Sequence, residues 1–378
     1  MRRRALCSIV PPFILRNIAE RGDEGDRAMA VATMATMIEP RNERQAVAVV
    51  AGELILPPRR KRRTVFDART MQNLPGLNVR SEGAKAARDE AVNEAYEGAG
   101  RTYDYFKRVH DRSSVDGRGM RLDSTVHFGE GFSNAHWNGR QMIYGDGDGK
   151  YFRRFTTALD VIAHELTHGV TQYAAGFAFS GQGGALAEHY SDVFGLMVKQ
   201  HAAGNSSEWI LGRGLFTGRV RGEGLRSFIA PGTAFDDPVL GKDPQPSHMR
   251  DYVRTSADDR GVHINSGIPH HAFYRVATLL GGKAWETAGR IWYRALVDEL
   301  GPRSRFQHCA DATWRAAGKL FGAGSAPQEA VLAGWKAVGI EVAEAVVEKG
   351  PRLRVRRMRV MHEAFEPPGA AAELPHFV

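Results

Sequence analysis

The stretch that decides the fold is DVIAHELTHGVTQY, residues 160–173. His164 and His168 stand four apart. On a helix both imidazoles therefore lie on one face, one turn apart, within reach of a single metal ion. Glu165, next to the first histidine, can reach a water held at that ion. Apolar residues at Val161, Ile162, Leu166 and Val170 keep helical spacing, and a helix is expected over Ala158–Tyr173. Taken alone, the pair also fits two histidines on an ordinary amphipathic helix. Two histidines are in any case an incomplete zinc site, because catalytic zinc takes three protein ligands and keeps one position open.

The next helical segment supplies what is missing. GGALAEHYSDVFG, 183–195, falls within an expected helix over Gly184–Ala203. Glu188 lies 24 residues after His164, and Asp192 lies one turn beyond Glu188. If the two helices pack side by side, Glu188 is the third ligand. Asp192 can then accept the outward N–H of a ligand histidine, which fixes the ring.

Further helices are expected at Asn265–Leu280, Ala284–Glu299, Gln307–Phe321 and Ala326–Val338, after a Gly/Pro-rich, loop-like stretch over 204–262. Towards the N-terminus, Ala84–Tyr105 has helical spacing, and Val115–Tyr144 reads as strands and loops. GDGDG at 145–149 reads as a turn, since the EF-hand spacing and its final Glu are absent. Residues 1–58 contain Pro11-Pro12, an amphipathic stretch around Ile14–Glu20 and an Ala/Met-rich stretch near 28–37. They form a small separable module. RRKRR at 59–63 reads as an exposed linker open to proteolysis. The expected division is 1–58, an N-terminal lobe at 59–170 ending in the metal helix, a helical lobe at 171–342, and a tail at 343–378.

Composition excludes several classes. With 378 residues, 25% charged and 43% hydrophobic, the chain is neither disordered nor fibrous. The net charge of +8 raises the question of a nucleic-acid partner. Thirteen basic residues and no acid, however, sit in three runs: Arg2–Arg4, Arg59–Arg63 and five arginines from Arg352 to Arg359. Without them the balance is −5, so the body of the protein is mildly acidic. The runs also lack the interleaved aromatics of a single-strand binder, and RLRVRRMRV fits a short strand as well. No nucleic-acid partner is expected. Cys7 and Cys309 make no disulfide framework and no Cys-based metal site. No apolar run reaches the about 18 residues a membrane span needs. The start, MRRRALCSIVPPFILRNIAERG, is basic then apolar, but Pro11 and Pro12 break it and no A-x-A site follows, so no Sec signal is expected. Localisation is left between cytoplasm and an unconventional export route.

With these motifs in place, the sequence resembles the thermolysin-like zinc metallopeptidases over roughly 64–342. SNAHWNGRQMIYGDGDG (133–149) is similar to the family's substrate-binding edge strand, which implies that Asn134 and Ala135 bind substrate backbone. GLRS (224–227) implies that Arg226 binds the carbonyl side. DDRGVHINSG (258–267) implies His263 as the transition-state histidine, oriented by Asp258. The resemblance further implies an α+β, two-lobed fold with one zinc ion held by His164, His168 and Glu188 in the cleft between the lobes, Glu165 as general base, and protein or peptide substrates. Phe152, Phe155, Val161 and Leu225 align with residues lining the pocket after the scissile bond, which implies cleavage before hydrophobic residues. SIVPPFILRNIAERG resembles the short propeptide of the protealysin-like branch, so a zymogen is expected whose inhibitory propeptide is removed near 45–65; the other reading of this module is a permanent ordered extension. A monomer is expected. Cys7 is a candidate zinc blocker, although a lone cysteine is more often a buried apolar residue.

Three departures stand out. Phe179 replaces a tyrosine that helps stabilise the tetrahedral intermediate. Ala187 replaces an asparagine before the glutamate ligand. Lys199 and Arg213 stand near positions where the family has calcium-binding acids; Asp160 remains, but one acid does not make a calcium site. The usual paired Ca²⁺ site is expected to be degraded. An alternative is a catalytically weakened zinc-binding homologue acting as a protein-binding module. The intact Glu165, His263 and Asp258 oppose it.

Overall fold

The computed structural model describes residues 8–37, 60–205 and 207–343. Expectations that fall on 1–7, 38–59 or 344–378 lie outside the described residues. They include Cys7, the runs Arg2–Arg4 and Arg352–Arg359, and most of the expected processing region.

The first lobe is built on a five-stranded mixed sheet of order β2-β1-β3-β5-β4. β1 (Arg63–Asp67) pairs antiparallel with β2 (Leu77–Ser81) and parallel with β3 (Leu122–Val126). β5 (Met142–Tyr144) runs parallel to β3, and β4 (Ala135–Trp137) pairs antiparallel to β5 at the sheet edge. The basic run 59–63 is therefore not wholly a linker. Arg63 opens β1, is 8% exposed, forks onto Glu82 and stacks on Tyr96 at 3.6 Å. α3 (Glu90–His110) lies across β1 and β3. It starts after the expected Ala84 because the Asp89 carboxylate caps it, accepting from the N–H groups of Ala91 and Val92.

α4 (Leu159–Ala174) and α5 (Gly181–Ala203) run together through the centre of the molecule. Nearly every side chain from Asp160 to Thr171 and from Gly184 to Val198 is buried, so neither helix shows a clean polar face. Gly195 sets their separation: a Cβ there would lie 2.7 Å from the Asp160 carbonyl oxygen. Any larger residue would push apart the helices that carry His164 and Glu188.

The second lobe holds α6 (Asp258–Asn265), α7 (Gly267–Leu280), α8 (Ala288–Asp298), α9 (Phe306–Phe321) and α10 (Ala326–Ala337). Four of the five match expected helices within a few residues. The stretch 204–262 is more structured than a loop. It contains the ribbons β6 (Ile210–Leu211) with β7 (Arg226–Ser227) and β8 (Asp236–Asp237) with β9 (Gly241–Lys242), and then the start of α6. Two-residue ladders carry no periodicity, so sequence pattern cannot reveal them. No helix among the described residues is long and apolar enough to cross a membrane.

The N-terminal module forms a helical hairpin, α1 (Pro12–Arg21) and α2 (Glu24–Thr36). Pro12 stands at the first helical position, where its missing N–H is not needed. Asp23 and Asp26 close a capping box on α2. The residue before a proline is pushed to extended backbone, so Pro11 holds Val10 out of the helix. Ser8–Val10 accordingly lies outside the helix, with bends at Ile9 and Val10, and it leads into the cleft.

Candidate active site

His164 and His168 project from α4 towards Glu188 on α5. Their Nε2 atoms are 3.0 Å apart. Glu188 places one carboxylate oxygen 3.7 Å from His164 Nε2 and the other 3.7 Å from His168 Nε2. Ligand atoms 2.0–2.1 Å from a tetrahedral zinc stand about 3.3 Å from one another, so this set fits the ion. Among the described residues it is the one group of three or more His, Cys, Asp or Glu with metal-holding geometry. His164 and Glu188 are fully buried, and His168 is nearly so.

Behind the ligands lies Asp192, also fully buried. Its Oδ1 accepts from His164 Nδ1 at 2.6 Å, which turns the lone pair of His164 Nε2 towards the metal position. Arg226 grips the same carboxylate through Nε at 2.5 Å and Nη2 at 2.8 Å. Burial alone would raise the carboxyl pKa, but Arg226 and His164 hold it far below the usual range. His270 adds a further contact at 3.2 Å to Oδ2, and burial keeps that imidazole neutral by pushing its pKa down to about 3. The Glu165 carboxylate accepts the backbone N–H of Trp137 at 2.9 Å, so the edge strand β4 aims it.

His263 enters from α6. Asp258 and the two residues after it have left-handed backbone, with φ of 52°, 47° and 70°, and Gly261 continues the curl at 74°. This brings Asp258 Oδ1 to 2.6 Å from His263 Nδ1, while Oδ2 accepts the His263 backbone N–H at 2.8 Å. Burial alone would lower the imidazole pKa, but the Glu188 and Asp258 carboxylates lift it to about 9.

The segment Ser8–Val10 lies across these groups. Ile9 N–H donates to the Ala135 carbonyl oxygen at 3.1 Å, extending the β4 edge. Arg226 Nη1 donates to the Ile9 carbonyl at 3.1 Å. Asn134 takes both sides of Val10: its Oδ1 accepts the N–H at 3.0 Å, and its Nδ2 donates to the carbonyl at 3.1 Å. The Ser8 carbonyl oxygen lies 3.2 Å from His263 Nε2. Ile9 and Val10 are fully buried. Every residue read from sequence as binding substrate backbone is thus in contact with the chain's own N-terminal segment. The hairpin that follows is pinned as well, by Asn17 on the Leu240 carbonyl and by the mostly buried Asp26 against Lys150 and Tyr151.

Family models match at two places: the thermolysin metallopeptidase catalytic domain over 59–172 and its alpha-helical domain over 175–340. The chain belongs to the thermolysin metallopeptidases. An extracellular metalloprotease of Pectobacterium carotovorum subsp. carotovorum is 46% identical over 352 residues, covering 90% of this chain and 99% of that protein. Protease PrtS of Photorhabdus sp. (strain Az29) is 40% identical over 347 residues, covering 89% and 92%. The solved precursor of protealysin, a metalloproteinase from Serratia proteamaculans, matches with a TM-score of 0.80 and 43% identity, covering 88% of this chain and 99% of that one. These relatives are proteases by name, which favours an enzyme over a binding module, and the precursor match supports a propeptide. The family is zinc-dependent, as the His-His-Glu set requires.

In this thermolysin metallopeptidase, the departures sit beside the site. The ring of half-buried Phe179 meets that of His263 edge-on, with centroids 6.5 Å apart. Ala187 is buried next to the ligand Glu188. Phe152, Phe155 and Leu225 are buried in the main apolar core. The turn reading of 145–149 agrees with Asp148, whose carboxylate accepts the N–H groups of Lys150, Tyr151 and Phe152. Asp160 is fully buried; its Oδ2 accepts from Lys199 Nζ and the Gly212 N–H, both at 2.9 Å. Arg213 pairs with Glu208 and Glu223. Sequence reasoning missed His270, the Trp137 N–H and the Lys199–Asp160 pair. A lysine near a lone buried acid was the signal for the last.

Proposed function

We propose that this chain is a zinc-dependent neutral endopeptidase, made as a zymogen, that cuts on the N-terminal side of hydrophobic residues. The observation that carries this is the seating of Ser8–Val10, an apolar peptide held along its backbone, with its Ser8 carbonyl at His263 and Ile9 on the leaving side. One zinc ion on His164, His168 and Glu188 would supply Lewis-acid polarisation of the scissile carbonyl and a water ionised near pH 7. Glu165 takes a proton at its carboxylate and passes it to the leaving amine. His263, protonated and held by Asp258, donates Nε2–H to the oxygen that gains charge. Asn134, Ala135 and Arg226 hold the substrate backbone, and Asp192 keeps His164 and Arg226 in place. Phe152, Phe155 and Leu225 favour an apolar residue after the cut. Phe179 offers no hydroxyl donor, which lowers turnover.

Residues 1–58 act as the prosegment, inhibiting by occupying the cleft. Residues 59–170 and 171–342 are the two catalytic lobes. Lys199 answers Asp160, so no calcium is required there, and the enzyme is a monomer. The extracellular relative supports action outside the cell. The deciding measurement is hydrolysis of casein or a furylacryloyl dipeptide by the prosegment-free chain and its Glu165→Ala variant, with and without a zinc chelator. Turnover is expected only in the untreated wild type; equal rates in both proteins would exclude a peptidase. A peptide library tests the pocket, and a preference for charged residues after the cut would overturn that part.

A further inference from the structure

We propose that the Ser8–Ile9 peptide bond is itself a substrate: the full-length chain hydrolyses it in place and keeps the cut prosegment bound. This rests on the peptidase activity proposed above. It concerns a bond distinct from the processing region expected near 45–65.

The register singles out this bond. From the Ser8 carbonyl to the Val10 carbonyl, every backbone polar group is engaged by a group assigned to substrate: His263 at Ser8 O, Ala135 at Ile9 N–H, Arg226 at Ile9 O, and Asn134 at both groups of Val10. The carbonyl facing His263 is the one whose oxygen would gain charge on attack. The nitrogen on its far side belongs to Ile9, an apolar and fully buried residue. Neighbouring bonds are poor candidates. Val10–Pro11 and Pro11–Pro12 have no N–H on the amine side. Beyond them the backbone closes into α1, starting with Ile14 N–H on the Pro11 carbonyl.

The chemistry needs nothing except water. Its oxygen joins the Ser8 carbonyl carbon, the C–N bond breaks, and Glu165 carries a water proton to the Ile9 nitrogen. The products are a Ser8 carboxylate and an Ile9 amine. Cutting does not expel the inhibitor, because residues from Ile9 onward keep their own anchors. Asn17 holds the Leu240 carbonyl, Asp26 holds Lys150 and Tyr151, and Thr33 accepts the Ser133 N–H. The result is a nicked precursor that is still inhibited, and a later cut is needed to release activity.

The test uses full-length protein with zinc added, followed by intact mass and by chemical tagging of new N-termini. Wild type is expected to lose residues 1–8 and expose the Ile9 amine, with a first-order rate independent of protein concentration. Glu165→Ala should cut at least about 100-fold more slowly. Ile9→Pro, which removes the N–H on Ala135, should leave the bond whole. A bond that stays whole in wild type, while the prosegment-free chain hydrolyses casein, overturns this inference and leaves the peptidase intact. Failure on both overturns the two together. An equal rate in Glu165→Ala marks a foreign protease and also overturns it.

Discussion

Asp192 and Asp160 sit on the paired central helices, both fully shielded from water, and each faces a cation. Around Asp192 the cation is Arg226, and the same carboxylate also steers His164, while the same guanidinium reaches the Ile9 carbonyl. One buried charge there steers His164 and, through Arg226, holds the Ile9 carbonyl as well. Around Asp160 the cation is Lys199, and among the described residues the only other partner beyond its own turn is the Gly212 N–H. The pair satisfies a buried acid, and it touches nothing that reacts. A buried carboxylate must be answered in either setting; the answer becomes functional only when its partner has a second task.

That contrast is testable from its strong end downward. Replacing Arg226 by Met removes the partner of a fully buried acid. It should cost about 3–5 kcal/mol in urea unfolding and also reduce casein turnover to a trace. Stability lost with turnover preserved would show that the two tasks are separable. Lys199→Met should cost about 3 kcal/mol, the low end of the same range because Lys199 is 25% exposed, and leave turnover alone. Adding Asp160→Asn to that variant should recover most of the loss, and millimolar calcium should not change the wild-type melting temperature. A clear rise with calcium would mean that the ion pair does not replace a metal site.

Two smaller effects sharpen the boundary. Phe179→Tyr restores a hydroxyl donor near His263 and should raise kcat by about tenfold, ~1.4 kcal/mol, with little change in stability. An unchanged kcat would make Phe179 a neutral substitution. His127, half-buried, is held between Asp146 and Asp89 at 2.8 Å each. The hydrogen bond that its Nδ1–H donates to Asp146, against the effect of burial and with help from Asp89, lifts its pKa from 6.5 to about 9. Because the folded value is the higher one, its stabilisation is complete below about pH 6.5 and fades as the pH rises to 9. His127→Gln should flatten that slope in unfolding curves, most visibly at low salt.

The two regions were not equally legible. The metal site compresses into His164–Asp192, where helical period and ligand spacing reinforce each other, so pattern alone places its residues. Asp258 and His263 have no period behind them. Their contact depends on a run of left-handed residues that only a family motif could suggest. Lys199 was legible as a missing acid but not as a partner, since the pairing depends on how α4 and α5 meet at Gly195. Pro11 signals that Val10 stays out of the helix, yet where that piece docks is decided by a sheet edge more than a hundred residues away. The two-residue ribbons in 204–262 stay hidden for another reason: ladders that short carry no period.

β4 is three residues long and lies at the edge of its sheet, with the Ala135 carbonyl turned outward to Ile9. An open strand edge is a template for whatever extended chain comes near, and proteins normally blunt such edges. A peptidase of this design has to keep one open, because backbone pairing is how it holds peptides of many sequences. The prosegment therefore also works as a temporary sheet cap. Until it leaves, the β4 edge is covered at Ala135, while the opposite edge strand, β2, stays mostly exposed.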